Sequence, residues 1–396
     1  MEKDAIIRLR PNAAARAIRH GFPWVYDNEL VLDRRSRGLA PGSFAVLQDA
    51  DRSDLARVTV NPNSRIFARV LDTDAQVQID RAWVWAKLAQ AAALRARLFD
   101  APYYRLVHAE ADGLPGVIID RFGDHFVIQP NAAWADAMLD DFTAFLRDEL
   151  GAACVIKSAS GRARKLEGLD DVGGVLHGTG PDAPIAVSMN GATYLADLVD
   201  GQKTGLFYDQ RPNHAFVAPL CRGGDVLDVF SHVGGFGLAA LAAGAQAVTC
   251  VDGSAAALDL AAQGAALTRA GADFTARQGD AFDVLEQLAA EGAQFDVVIC
   301  DPPAFAPSKK ALDAGLRAYE RIARLAAPLV RKGGFLALCS CSHAADLGKF
   351  RTACNRGIGR AGRQSGLIYT GFAGPDHPMH PQLAESGYLK ALVYAL

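Results

Sequence analysis

The sequence has few of the features that mark secreted, membrane-bound or metal-dependent chains. Its seven cysteines (154, 221, 250, 300, 339, 341 and 354) are odd in number and contain no Cys-x-x-Cys pair. That excludes a disulfide framework and leaves a zinc site without support, so no metal is expected and a reducing, cytoplasmic compartment is the natural location. Long hydrophobic runs are missing too. The longest uncharged stretch, 233–251, is rich in Gly and Ala, contains Gln246, and reads as a loop, a helix and a strand rather than a membrane span. The N-terminus carries Glu2, Lys3, Asp4, Arg8 and Arg10 with no apolar core, so neither a signal peptide nor a membrane partner is expected. Neither sign of charge dominates: 41 Lys and Arg face 44 Asp and Glu, a net charge of −3. What remains is an ordinary globular composition, 50% hydrophobic and 21% charged over 396 residues. At about 150 residues per domain, that length suggests about two to three domains.

Local charge says more than the total. Lys349, Arg351, Arg356, Arg360 and Arg363 cluster without an acid among them. Lys309, Lys310, Arg317, Arg321 and Arg324 form a second group, and Arg162, Arg164 and Lys165 a third. Each alone is a solvated face; three in a near-neutral chain make a phosphate-tracking surface a reasonable expectation.

Three regions follow from the hydrophobic patterning. In residues 1–75, short β-like runs at 5–10, 43–48, 55–60 and 66–71 alternate with Pro/Gly/Asn turns, the pattern of a small barrel. The aromatic cluster Gly21-Phe22-Pro23-Trp24-Val25-Tyr26 reads mainly as core. Residues 76–189 combine helices at 82–99 and 133–149 with a hairpin turning at Gly123-Asp124, a small α+β domain. Residues 190–396 alternate strands (225–230, 248–251, 273–277, 295–300, 334–339) with helices (237–243, 254–269, 282–290, 310–330). This predicts a parallel sheet covered on both faces, with its ligand outside the carboxyl ends of the strands.

Those strand ends carry the candidate chemistry. Ser231-His232-Val233-Gly234-Gly235 follows the first strand, where glycines let backbone approach a ligand and expose helix N–H groups. Gly235-Phe236-Gly237-Leu238-Ala239-Ala240 also fits Gly-x-Gly-x-x-Ala, which keeps a nicotinamide dinucleotide in view. Asp252, at the end of the second strand, is placed to bind ribose hydroxyls, and Asp280 could meet an adenine amino group. Each Asp could equally be a helix cap; together they favour a nucleoside site. Asp301-Pro302-Pro303-Ala304-Phe305 is the decisive segment. Two prolines fix an extended turn that aims the Asp and the backbone carbonyls into the crevice, with Phe305 available to stack on a base. Cys341, between Ser340 and Ser342 and near an expected helix start, has the best claim to be a nucleophile. Cys339 and Cys300 read as inert core thiols.

The chain resembles the large-subunit rRNA cytosine-C5 methyltransferases, within the class I S-adenosylmethionine-dependent methyltransferases. The resemblance rests on Gly21-Phe-Pro-Trp-Val-Tyr, the segment 112–124, Lys203-Thr-Gly-Leu-Phe-Tyr-Asp-Gln-Arg211, Asp228-Val-Phe-Ser-His-Val-Gly-Gly-Phe, Asp301-Pro-Pro-Ala-Phe, Ser340-Cys-Ser and Gly374-Pro-Asp-His-Pro378. It implies an α/β fold: a Rossmann-like methyltransferase domain (190–396) preceded by a PUA-like RNA-binding domain (1–75) and a small α+β domain (76–189). It implies S-adenosylmethionine held by Lys203, Thr204, Gly205, Phe207 and Arg211, by Phe230, Ser231, Gly234 and Gly235, and by Asp252, Gly253, Asp280, Ala281 and Asp301. Pro302, Pro303 and Phe305 would meet the base, with Cys341 and Asp301 catalytic. The implied partner is large-subunit rRNA or its assembly intermediates; a homodimer is compatible with this reading. Two departures stand out. The proline turn lacks the second cysteine of better-studied RNA cytosine methyltransferases, and His232 stands where many relatives carry a small or hydroxyl residue. The competing readings are methylation of an exocyclic amine, a nicotinamide oxidoreductase, and a non-catalytic RNA-binding assembly factor.

Overall fold

A computed structural model describes residues 5–11, 13, 15–199 and 205–396. The chain forms two compact units, residues 1–182 with 376–384, and residues 183–375 with 385–396.

The first unit contains two five-stranded sheets. One is ordered Ala5–Arg8, Phe44–Gln48, Asp54–Val60, Ile66–Asp72 and Trp24–Tyr26. Its core is largely aliphatic, with Val25, Leu30, Leu47, Ala56 and Val58 fully buried beside Phe67. The other sheet comprises Gly174–Gly178, Cys154–Lys157, His125–Pro130, Val117–Phe122 and Tyr103–His108 in spatial order, and its core includes residues of helices Arg81–Leu98 and Leu139–Asp148. The hairpin turns at Gly123 with φ +70°. The single helix expected over 133–149 is two, broken at Met138. Residues 376–384 belong to this unit through a buried charge network. The Arg95 guanidinium, fully buried, pairs with Asp112 at 2.7 and 2.8 Å and donates to the Asp376 carbonyl at 3.1 Å, while an Asp376 carboxylate oxygen accepts the Arg105 N–H at 3.1 Å.

The second unit begins with a hairpin, Ile185–Met189 with Ala192–Ala196. Its main sheet uses β1 (Asp225–Val229), α1 (Gly235–Ala242), β2 (Ala247–Asp252), α2 (Ala255–Thr268), β3 (Asp273–Gln278), α3 (Ala281–Ala290), β4 (Phe295–Cys300), α4 (Leu312–Ala326), β5 (Val330–Ser340), α5 (Leu347–Arg360), β6 (Gly366–Gly371) and β7 (Lys390–Ala395). The strands are ordered β3-β2-β1-β4-β5-β7-β6, with β7 antiparallel to both neighbours and the other pairs parallel. Near-continuous apolar strands such as Val297-Val298-Ile299-Cys300, all fully buried, are what a sheet covered on both faces requires. The helix expected over 310–330 ends at Ala326 because Pro328 cannot supply the next N–H; a short 3₁₀ turn follows, and β5 starts at Val330. Strand order reverses between β1 and β4, the topological switch point where such sheets bind ligands.

Candidate active site

The ends of β1 and β4 meet at this switch point: the Asp301 N–H donates to the Val229 carbonyl at 3.1 Å. The β1 loop is held in an unusual conformation. Phe230 (φ +63°) and His232 (φ +50°) adopt left-handed backbone although neither is glycine, and Gly234 follows at φ +84°. Side-chain-bearing residues persist there only where their surroundings over-determine them. The constraints are visible. The Asp252 carboxylate accepts the His232 N–H at 2.9 Å and the Ser254 N–H at 2.8 Å, while Asp228 Oδ2 accepts the Gly237 N–H at 2.8 Å. Gly237 admits no side chain, since a Cβ there would sit 2.8 Å from the Cys250 sulfur.

A cleft at this point is lined by Leu206, Phe207, Gln210, His214, Asp228, Phe230, Ser231, His232, Val233, Gly235, Phe236 and Asp301. Asp228 Oδ1 and His214 Nδ1 are buried without a hydrogen-bond partner among the described residues. Burial pushes the Asp228 carboxyl up to about 7 and the His214 imidazole down to about 3, the latter helped by Arg211. Asp301 keeps partial solvent exposure, yet desolvation, and next the nearby Asp209 carboxylate, raise it to about 8. A buried acceptor with no protein partner beside such a cleft suits a polar ligand carrying an amino group and hydroxyls, as S-adenosylmethionine does.

The residues expected at the site are thus distributed unevenly. Phe207, Phe230, Ser231, Gly235 and Asp301 share the cleft, and Gly205 and Arg211 lie on the segment leading through it. Lys203 and Thr204 lie outside the described residues. Gly234 N-caps α1. Asp280 is exposed and caps α3, its Oδ1 accepting the Phe282 and Asp283 N–H groups at 2.9 and 3.3 Å; Ala281 is buried behind it, and Gly253 accepts from Gln278. Gln210, Asp228 and Phe236 lie inside motifs that carry the resemblance without an assigned role, and His214 lies outside all of them. The Asp228 carboxylate, set between apolar neighbours one position before the end of β1, was the signal available for this residue.

The proline turn and the Ser-Cys-Ser turn are tied together. The Ser342 hydroxyl accepts the Ala306 N–H at 2.9 Å, and the Tyr319 hydroxyl lies 2.8 Å from both the Ser340 and Ser342 hydroxyls. Pro302 is buried and Pro303 exposed, while Phe305 packs against Phe230, Phe282 and Tyr319 at ring separations of 6.3, 6.1 and 5.1 Å. Cys341 is the only one of the seven cysteines that is not buried, and its sulfur lies 3.9 Å from the Pro302 carbonyl oxygen. One expectation is corrected here. No helix starts at Cys341: α5 begins at Leu347, capped by Asp346, because the residues after Cys341 form a separate turn whose Ser342 and Ala345 carbonyls are engaged by Lys390. A helix dipole therefore does not act on this thiol.

The expected basic surface is also reduced. Arg164 is buried against Asp136 and Asp170, Arg363 donates to the Ala327 and Val330 carbonyls, Arg321 pairs with Glu286, and Arg360 with Glu320.

Residues 7–73 match a PUA-like domain family and residues 169–353 an S-adenosylmethionine-dependent methyltransferase family. The solved structures agree in fold. A candidate S-adenosylmethionine-dependent methyltransferase from Streptococcus mutans superposes with a TM-score of 0.83 at 18% identity, covering 99% of this chain and 100% of its own. A candidate methyltransferase complexed with SAH superposes at 0.82, with 18% identity and 99% coverage of each chain. Fold and site together define an S-adenosylmethionine-dependent methyltransferase with a PUA-like domain. Among curated proteins, the chain is 35% identical over 381 residues to ribosomal RNA large subunit methyltransferase I of Aliivibrio fischeri (strain MJ11), covering 95% of each. It is also 35% identical over 399 residues to a ribosomal RNA large subunit methyltransferase of Deinococcus radiodurans, covering 98% of this chain and 96% of the relative. The chain belongs to the ribosomal RNA large subunit methyltransferase I family.

Proposed function

We propose that this protein methylates C5 of a cytidine in large-subunit (23S) rRNA, free or in an assembling subunit, through a transient bond between Cys341 and C6. The observation that carries this reading is Cys341 itself: the one accessible thiol, at the end of β5, beside the Pro302 carbonyl of the adjacent proline turn. In this reading the chain divides into an RNA-binding domain (1–75), a connecting α+β domain (76–189) and the methyltransferase domain (190–396). Asp228, Asp301, Phe207, Ser231 and the Gly234-Gly235 backbone would hold the cofactor, with Asp252 supporting the loop that meets it.

The chemistry follows from the base. Cytosine C5 is a weak nucleophile. The Cys341 thiolate adds to C6, forming an S–C6 bond and leaving C5 enamine-like. Asp301, raised to about 8, is mostly a neutral carboxylic acid at neutral pH and can donate its proton towards N3 as charge develops there. S-adenosylmethionine, when bound, would supply the methyl group to C5, its S–CH₃ bond breaking and the pair leaving on the thioether sulfur of S-adenosylhomocysteine. Once C5 carries the methyl and N3 has returned its proton to Asp301, a base removes the C5 proton, that pair forms the C5–C6 double bond, and the S–C6 bond breaks with its pair leaving on Cys341. The target base must leave its stack to reach both turns, so single-stranded or remodelled RNA is the substrate.

The test is transfer of labelled methyl from S-adenosylmethionine to total rRNA from cells lacking this protein, followed by nucleoside analysis. The expected product is 5-methylcytidine. Cys341→Ala is expected to lose at least about 10³-fold in turnover while still binding cofactor. A product methylated on an exocyclic amine, or normal turnover in Cys341→Ala, would overturn the covalent route.

A further inference from the structure

Lys390 lies in β7 directly opposite Ser340 of β5, and only 4% of it is exposed. Its ammonium donates to the Ser342 carbonyl at 2.6 Å and to the Ala345 carbonyl at 2.8 Å. It therefore closes the turn that leaves Cys341. No carboxylate lies within 4.0 Å of it among the described residues. A lysine is costly in this place. Burial drives its ammonium down to about 8, while Cys341 and Asp346 push it back up. A neutral donor could satisfy two carbonyls without burying a charge, so the charge calls for a reason beyond hydrogen bonding. The proposed catalytic thiol supplies one: Lys390 pairs with Ser340 on one side of Cys341 in the chain and bonds the Ser342 carbonyl on the other.

We infer that Lys390 is a positioning residue for Cys341: its ammonium fixes the 342–345 turn and favours the thiolate, the form that attacks carbon. This rests on the reading of Cys341 as the nucleophile. With no helix starting at Cys341, the structure supplies instead a buried ammonium on the turn that follows it, bonded to the carbonyl of the next residue, Ser342. Among the described residues, Tyr319 on α4 interacts with Cys341 and Asp346 at the start of α5 with Lys390, while His343 lies in the turn itself. Tyr319 feels Cys341 as a charge that raises its own hydroxyl, but burial is the larger cause.

The experiment follows the rate of Cys341 alkylation by iodoacetamide against pH, with no RNA present. The other six cysteines are buried, and Cys341→Ala supplies the background. Lys390→Gln keeps a donor for the carbonyls and removes the charge; Lys390→Arg keeps the charge. Cofactor binding and thermal unfolding monitor the fold. The expected result is a midpoint in wild type below that of a free cysteine, about 8.5. In Lys390→Gln it should rise by about one unit, with alkylation near neutrality slowed by up to about tenfold, and Lys390→Arg should restore it. An unchanged midpoint in folded Lys390→Gln would overturn the proposal. So would a wild-type midpoint at or above about 8.5, a reading that needs no variant to fold. Because alkylation requires no methyl transfer, its outcome is separate from that of the Cys341→Ala methylation assay.

Discussion

Asp301 shows how one side chain can be read for type from the sequence and for state only from the fold. Its place before two prolines marks it as aimed at the crevice. Its pKa depends on burial and on Asp209, a residue 92 positions away in the chain, so its protonation is a tertiary property. The sign of the resulting pH dependence is definite. A raised carboxyl stays protonated to about 8 and loses its proton above that, so methyl transfer should fall on the alkaline side as Asp301 ionises. Asp301→Asn, which cannot deliver a proton, should lower kcat by about 10²–10⁴-fold and remove that contribution to the alkaline limb. Initial rates across pH 6–10, with thiol ionisation followed separately, are the check. Cys341 and Cys339 pose the same lesson differently. Two residues apart on an extended segment, they would share a face; only the end of β5 at Ser340 separates a buried thiol from an accessible one.

Among elements, the β1–α1 loop and the pair of turns at β4 and β5 act as assembled parts. The glycines after β1 were legible as a close-approach loop. The left-handed His232 was not, because its conformation is held by Asp252 on the next strand. Gly237→Ala places a methyl against the Cys250 sulfur, 2.8 Å from where the Cβ would lie, and should destabilise the protein by about 1–3 kcal/mol. Denaturant unfolding measures it. Tyr319 is the corresponding link between the two catalytic turns. Tyr319→Phe removes a buried hydroxyl shared by Ser340 and Ser342, at an expected cost of about 1–3 kcal/mol. The same change should reduce kcat more than it weakens cofactor binding, because the cofactor cleft does not include Tyr319. Titration with cofactor alongside single-turnover rates separates the two.

For the whole molecule, the buried Asp228 couples folding to pH. An unfolded aspartate titrates near 3.9, while in the fold burial raises this one to about 7. Between these values the folded chain keeps a proton that the unfolded chain has released, so Asp228 makes stability fall as pH rises through that window. Asp228→Asn, which retains an oxygen for the Gly237 N–H, should flatten this slope. Unfolding by urea at pH 5 and pH 8, without cofactor, compares the two proteins.

The α/β alternation, the strand ends as the place of chemistry, the proline turn and the family were legible from the residues in order. These depend on local periodicity, on proline and glycine backbone limits, and on motifs contiguous in the chain. Tertiary structure decided the rest. It assigned 376–384 to the first unit through the buried Arg95–Asp112–Asp376 network, consumed Arg164 and Arg363 as internal donors, and brought Lys390 under the Cys341 turn across the β5–β7 register. Such pairings join residues tens to hundreds of positions apart, and they arise because every buried polar group must find a partner wherever packing leaves one.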